Sequence, residues 1–312
     1  MSEGAKTYEA AGVSLATAEG VVERLRAAVE STGSSGFGGF AGLYPLDERR
    51  LLAATTDSVG SKLMLSRRAG KLRWAGADLA AHCINDVITT GAEPMFFLDY
   101  VAANAIDLEQ VAELVEGAAE VCRAAGCVLI GGETAELPGV YKEGELDFAG
   151  TCVGFVEREN VIDGSRVEEG DVVLGFASSG LHTNGFSLVR RLIGDDDEFD
   201  AELLLQPHRL YLDEVRTLCA RADVRALAHI TGGGIPGNLS RTLPDGLGAH
   251  IDSLAWRRPP VFQWLSERGV LEEEQRRVFN IGIGYCAIVP AADADAGMVI
   301  GEIVRGEGVT FA

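Results

Sequence analysis

Apolar runs of strand length alternate with segments of helical period along this chain, and that alternation restricts it to mixed α/β architecture. The strand-like runs are an apolar stretch at 51–54 that continues into TTDSVGSK, MFFLDYVA at 95–102, residues 127–130, DFAGTCVGFVE at 147–157, VVLGFA at 172–177 and residues 282–289. Between them the spacing predicts a helix starting after Ser14, with Ala18, Val21, Val22, Leu25, Ala28 and Val29 on one stripe, and a second over about 78–89. A third, after the cap Asp107, carries Val111, Leu114, Val115, Ala118, Val121 and Cys122 and stops at Gly126. Further helices are predicted over 183–192 and 208–221.

A chain of 312 residues exceeds the usual span of one core, and residues 157–171, ERENVIDGSRVEEGD, are polar and turn-rich. The expected division is therefore residues 1–160 and residues 161–312. A net charge of −20 repels nucleic-acid phosphates and anionic membranes, so any phosphate site must bring its own counter-field. No apolar run approaches the roughly 18 residues of a membrane span, and the opening MSEGAKTYEAAGV lacks a basic segment followed by an apolar one. These features predict a cytoplasmic protein. Six cysteines without a CxxC pair are expected to be buried free thiols.

Four acidic residues sit where ligands are reached: Asp57 at a strand end, Asp78 and Asp86 on a helix face, and Glu133 in a glycine turn. On that helix Asp78, His82, Asn85 and Asp86 fall at i, i+4, i+7 and i+8 and share one face. Carboxylates from separate segments are what a nucleotide-bound Mg2+ requires, although each residue alone equally suits a cap or a surface charge. SSGLHTNG places Ser178, Ser179 and Gly180 between a strand and a helix start, either as an anion site beside His182 or as a simple cap. ITGGGIPGN offers Gly232, Gly233 and Gly234 to wrap a phosphate, with His229 just before them. Neither segment is a P-loop or a dinucleotide fingerprint. The glycine-rich segment at 31–40 is a linker or a ligand loop, and the acidic run at 195–198 a solvated one.

TTDSVGSKL, GADLAAHCINDVITTGAEPMFFLDY, VLIGGETAELPGVY, SSGLHTNGFSLVR and AHITGGGIPGNLSR, in this order and spacing, resemble the motif series of the phosphoribosylformylglycinamidine cyclo-ligase (aminoimidazole ribonucleotide synthetase) family. The resemblance runs from YEAAGV at 8–13 to IGEIVRGEGV at 300–309. It implies two domains: an N-terminal α/β domain that forms a dimeric β-barrel with its symmetry mate, and a C-terminal α/β domain completing the active-site cleft. It implies ATP and Mg2+, with K+ as a further candidate, a formylglycinamidine ribonucleotide substrate and a homodimer. By motif position Asp57 and Asp86 hold Mg2+-ATP, Asp78 and Glu133 are weaker metal candidates, and Lys62 contacts phosphate, with Asn85 and Arg26 also on the nucleotide. Ser179 and Gly180 join the ligand site, His182 carries a proton or stabilises phosphoryl, and His229, Gly232, Gly233, Gly234 and Asn238 bind ribose phosphate or nucleotide.

Three positions depart from the family pattern. Ser58 and Ser61 replace a glycine and a threonine, and Arg26 replaces a lysine, which keeps charge but not its point-like geometry. Residues 290–298, PAADADAGM, are short for a parallel crossover of about a dozen residues, so the connection is either rebuilt or lacks a peripheral helix. The rival readings are selenophosphate synthetase, thiamine-monophosphate kinase or hydrogenase-maturation dehydratase chemistry on the same scaffold, a formylglycinamidine synthetase subunit, and a non-catalytic dimeric scaffold.

Overall fold

The computed structural model describes residues 6–33, 38–194 and 198–312. Parts of the glycine-rich segment at 31–40 and of the acidic run at 195–198 lie outside the described residues. Helix α1 (Leu15–Glu30) starts as predicted, with Ser14 Oγ accepting the Thr17 N–H at 3.1 Å.

The first sheet contains β1 (Gly42–Pro45), β2 (Arg50–Ser58), β3 (Glu93–Ala103), β4 (Val128–Glu136) and β5 (Leu146–Glu157), in the order β1-β2-β5-β3-β4. Only β3 and β4 pair in parallel. Strand β4 does not break at residue 130 as the sequence suggested. A register shift between Phe97 and Leu98 lets pairing with β3 continue to Glu136, so the glycines stay in the ladder.

Helices α2 (Lys62–Arg68), α3 (Leu72–Ile88) and α4 (Leu108–Ala125) accompany this sheet, and α3 packs on β2, β3 and β5. Helix α3 begins six residues before the predicted start, because Leu72 and Ala75 already face the core. Asp107 caps α4 by accepting from Gln110 N at 3.1 Å, and Gly126 ends it at φ +69°. The two long helices approach at glycine: a Cβ on Gly76 would stand 2.0 Å from Leu114 O, and one on Gly117 1.9 Å from Arg73 O.

The second sheet contains β6 (Val172–Ala177), β7 (Ala226–His229), β8 (Leu247–Ile251), β9 (Ile283–Val289), β10 (Val299–Arg305) and β11 (Gly308–Phe311), in the order β11-β8-β10-β6-β9-β7. Its helices are α5 (Phe186–Ile193), α6 (Ala201–Leu204), α7 (Leu212–Cys219), α8 (Gly234–Leu239), α9 (Pro260–Glu267) and α10 (Glu272–Val278). Helices α5 and α7 begin three and four residues later than their periodicity suggested. Strands β9 and β10 are both antiparallel to β6 and therefore run parallel across it. Their short connection is rebuilt as a 3-10 helix, Ala291–Ala296, with Gly297 close above Leu174.

One core joins the two sheets, combining Leu79, Phe97 and Phe148 with Leu174, Tyr211 and Tyr285. Helix α3 lies inside it, so Asp78, His82, Asn85 and Asp86 are all buried. Five cysteines are buried and unpaired, as expected, whereas Cys219 is exposed. No helix among the described residues is long and apolar enough to cross a membrane.

Candidate active site

Strand β2 delivers Asp57 to its C-terminal end, where the Oδ1 atom accepts the Ser58 N–H at 2.6 Å and Oδ2 lies 2.9 Å from His82 Nε2 on α3. One helical turn on, Asp86 Oδ2 is 3.9 Å from the same nitrogen. Its Oδ1 is 2.7 Å from Nδ1 of His229, the last residue of β7. Three separate segments therefore bring two carboxylates and two imidazoles to one point. Asp57 is the outward member, with a side chain 38% exposed, against 9% for Asp86.

Four of the chain's five histidines meet here. His208 Nε2 faces His229 Nε2 at 2.9 Å, and His182 stacks on the His208 ring at 4.0 Å between centroids. His82 Nδ1 contacts Thr183 Oγ1 at 2.7 Å. Burial pulls His182, His208 and His229 below the usual imidazole range and keeps them neutral. Burial also opposes the charge on His82, but Asp57, Asp86 and Asp78 outweigh it and raise that group to about 9. Asp57 responds in kind: its charged His82 neighbour overcomes burial and lowers the carboxyl.

The backbone at His182 is left-handed, φ +61°, an uncommon state for a non-glycine residue. The bend turns the ring inward, where Nε2 accepts the Ser179 N–H at 3.3 Å and Nδ1 finds no partner among the described residues. Ser179 Oγ donates to Pro207 O, and Ser178 Oγ to Gly180 O, so these hydroxyls brace the turn.

Lys62 and Asp78, expected as phosphate contact and weaker metal ligand, instead bind each other. Lys62 Nζ lies 2.8 and 2.7 Å from the two Asp78 oxygens, with neither side chain exposed. Asp78 Oδ1 also accepts the His208 N–H at 2.7 Å, which ties α3 to the segment carrying His208. Asn85 does the same two turns further along α3, donating to Arg209 O at 2.8 Å and accepting from Tyr211 N at 3.0 Å. Burial works against both charges of the Lys62–Asp78 pair, lowering the ammonium and raising the carboxyl.

Asn238 bonds inward to Thr231 O, Gly232 O and Gly234 O, so it fixes the glycine turn rather than facing a ligand. Gly234 packs so closely that a Cβ there would stand 2.1 Å from Arg276 O. Glu133 is exposed on β4 opposite Tyr100 and stands outside the carboxylate–imidazole cluster.

Family models for the AIR synthase related protein match here in both halves, the N-terminal domain over residues 38–156 and the C-terminal domain over residues 168–311. The chain belongs to the AIR synthase related family. It is 46% identical over 309 residues to a phosphoribosylformylglycinamidine cyclo-ligase of Synechococcus sp. (strain CC9605), covering 93% of this chain and 90% of that protein. It is 43% identical over 327 residues to the chloroplastic/mitochondrial cyclo-ligase of Vigna unguiculata, covering 98% and 83%. Among solved structures, AaThiL complexed with AMPPCP and TMP aligns with a TM-score of 0.69 at 18% identity, over 92% of this chain and 91% of that one. T. maritima PurL complexed with ATP aligns with a TM-score of 0.63 at 18% identity, over 89% of this chain and 44% of that one. At such identity these likenesses speak for the fold.

In this member of the AIR synthase related family, a cleft of about 760 Å3 opens at the C-terminal end of α3, just past Asp86, and is lined by Arg26, Phe40, Thr89, Thr90, Ile162 and Arg241. Arg241 stacks 4.0 Å over Phe40 and donates to Gly38 O and Gly39 O, which anchors that end of the glycine-rich segment. Thr183, His208 and Arg241 received no role from the sequence. Thr183 and Arg241 lie in motifs already noticed and His208 at the start of a predicted helix, yet only three-dimensional convergence distinguishes them from caps and surface residues.

Proposed function

We infer that this chain catalyses the ATP-dependent closure of formylglycinamidine ribonucleotide to 5-aminoimidazole ribonucleotide, the reaction of a phosphoribosylformylglycinamidine cyclo-ligase in purine biosynthesis. The observation that carries the reading is identity of 43–46% with cyclo-ligases over at least nine tenths of the chain. The ATP γ-phosphoryl passes to the formyl-amide oxygen, the amidine nitrogen attacks the activated carbon, and phosphate leaves with the former amide oxygen as the ring closes. Catalysis of this kind rests on charge stabilisation and on positioning of an intramolecular attack.

We propose that Asp57 and Asp86 face the nucleotide's metal. Hard carboxylate oxygens from β2 and α3 suit Mg2+, and the partly exposed Asp57 gives access to it. Mg2+ bound there would offset charge on the transferring phosphoryl group. His182, neutral and with its Nδ1 unmatched among the described residues, is the proposed proton carrier beside the reacting amide. His229 and the Lys62–Asp78 pair act as positioning groups: His229 orients Asp86, and the pair ties α3 to the His208 segment. The cleft lined by Arg26 and Arg241 is of nucleotide size and is the proposed ATP seat.

A division near residue 160 and a homodimer complete the proposal. The face of the first sheet away from α3 carries exposed Leu98, Tyr100, Val128, Ile130 and Phe155, an apolar surface suited to a second copy. The deciding experiment supplies purified protein with Mg2+, ATP and formylglycinamidine ribonucleotide and measures ADP and aminoimidazole product together. Equal amounts of both establish the reaction; tight ATP binding without product indicates another phosphoryl-transfer activity on this fold, and absence of binding indicates a scaffold.

A further inference from the structure

The point where β2, α3 and β7 converge holds nitrogen as well as oxygen donors. One ligand atom each from His82, Asp86 and His229 lies within 4.8 Å of the others, and Asp57 Oδ2 stands 2.9 Å from His82 Nε2. A four-coordinate ion with bonds of about 2.0–2.2 Å separates its ligand atoms by about 3.3–3.6 Å, so small side-chain shifts close this cluster around one. The second nitrogen of each ring is already held: His82 Nδ1 by Thr183 Oγ1 at 2.7 Å, and His229 Nε2 by His208 Nε2 at 2.9 Å. Outer partners of this kind fix which nitrogen points at a metal. His208 is itself secured by its backbone N–H on Asp78 and by its stack on His182.

We propose that His82, Asp86 and His229, with Asp57 as fourth donor, form a site for a borderline divalent cation of the Zn2+ and Co2+ class. The inference deepens the reading of Asp57 and Asp86 as metal-facing carboxylates. Mg2+ takes oxygen ligands, whereas two imidazoles with carboxylate favour later transition ions, so ligand chemistry sets the preference. His82, Asp86 and His229 are 5%, 6% and 0% exposed, which shields a bound ion, while the more open Asp57 provides the way in. An ion seated there occupies both carboxylates and competes with Mg2+ for them.

The test titrates Co2+ into chelator-treated full-length protein in excess Mg2+ without nucleotide, in a Cys219→Ser background that removes the exposed thiol, and records visible absorption. One equivalent of Co2+ with the intense band of a low-coordinate, nitrogen-ligated ion is expected. His82→Leu should abolish the band, and Thr183→Val, which removes only the outer partner, should weaken binding about 10–100-fold. Because His82 is buried, crystals of the unaltered protein soaked in Zn2+ give a second readout, an anomalous peak between His82 and His229. Absence of both band and peak, or a peak elsewhere, overturns the proposal. Turnover with Mg2+ alone is measured separately, so a protein that closes the ring yet shows neither signal refutes the metal site and leaves the cyclo-ligase reading intact.

Discussion

The Nε2 atoms of His208 and His229 face each other at 2.9 Å, so one ring carries the proton between them and the other accepts it. Asp86 sets the direction. Its Oδ1, 2.7 Å from His229 Nδ1, can only accept, which makes His229 Nε2 the acceptor and His208 Nε2–H the donor. Thr183 Oγ1 continues the same sense, donating to His208 Nδ1 at 3.5 Å and accepting from His82 Nδ1 at 2.7 Å, and His82 Nε2–H then meets Asp57. A chain of matched donors joins the two carboxylates when His82 is charged and His208 and His229 are neutral.

That pattern predicts how stability of the metal-free protein depends on pH. His182, His208 and His229 are depressed by burial, while unfolded imidazoles titrate near 6.5. Below about 6.5 the unfolded chain binds protons that the folded chain refuses, so stability falls as pH drops. His82 has the opposite sign: raised to about 9, it contributes fully below about 6.5 and loses that contribution as pH rises through 9. Urea midpoints should peak near pH 6.5, with the acid limb the steeper because three groups act there against one. His208→Gln should flatten that limb; an unchanged acid limb would mean that His208 titrates normally in the folded protein.

Removing one partner of the Lys62–Asp78 pair leaves an uncompensated charge in the core. Lys62→Met is expected to destabilise by about 3–5 kcal/mol, and Lys62→Met with Asp78→Leu to regain much of the loss. Denaturation curves of the single and double variants decide it. Equal destabilisation in both would show that the contacts of Asp78 with the His208 backbone matter more than the charge.

Asp57→Asn should reduce turnover by orders of magnitude while the fold is retained, and should lower the melting temperature near neutral pH because it removes the carboxylate that holds charge on buried His82. A steady-state ADP-release assay beside a thermal melt separates the two effects. Near-normal turnover would take Asp57 out of the site.

How far the sequence discloses this arrangement depends on whether a residue acts through local pattern or through distant contacts. Asp57 at a strand end and Asp86 on the polar stripe of α3 follow from period and turn chemistry, and so do the caps Ser14 and Asp107. The stripe itself was legible, but not its burial, because only the second sheet, arriving with Tyr211 and Tyr285, turns that face into an interior. Lys62 and Asp78 are sixteen residues apart, and nothing local indicates that they spend their charges on each other. His208 lies in a stretch read as the start of a helix, whereas Asp78 and Asn85 accept the His208 and Tyr211 N–H groups, and α7 starts only at Leu212.

The site also depends on two glycines that touch no ligand. Gly76 and Gly117 let α3 and α4 approach until backbone meets backbone, with no room for a Cβ at either position. Because Asp78, His82 and Asp86 ride on α3, whatever pushes that helix away from α4 moves these groups relative to Asp57 and His229. Gly117→Leu is therefore expected to cost about 1–3 kcal/mol from overpacking and to lower turnover as well, since displacements near 1 Å can reduce rates about 100-fold. Exposed Gly20, where a Cβ would meet nothing within 4 Å, is the control: Gly20→Ala should leave both quantities unchanged or raise stability slightly. Normal turnover in a folded but destabilised Gly117→Leu protein would show that α3 and its carboxylates hold their place through the sheet contacts alone.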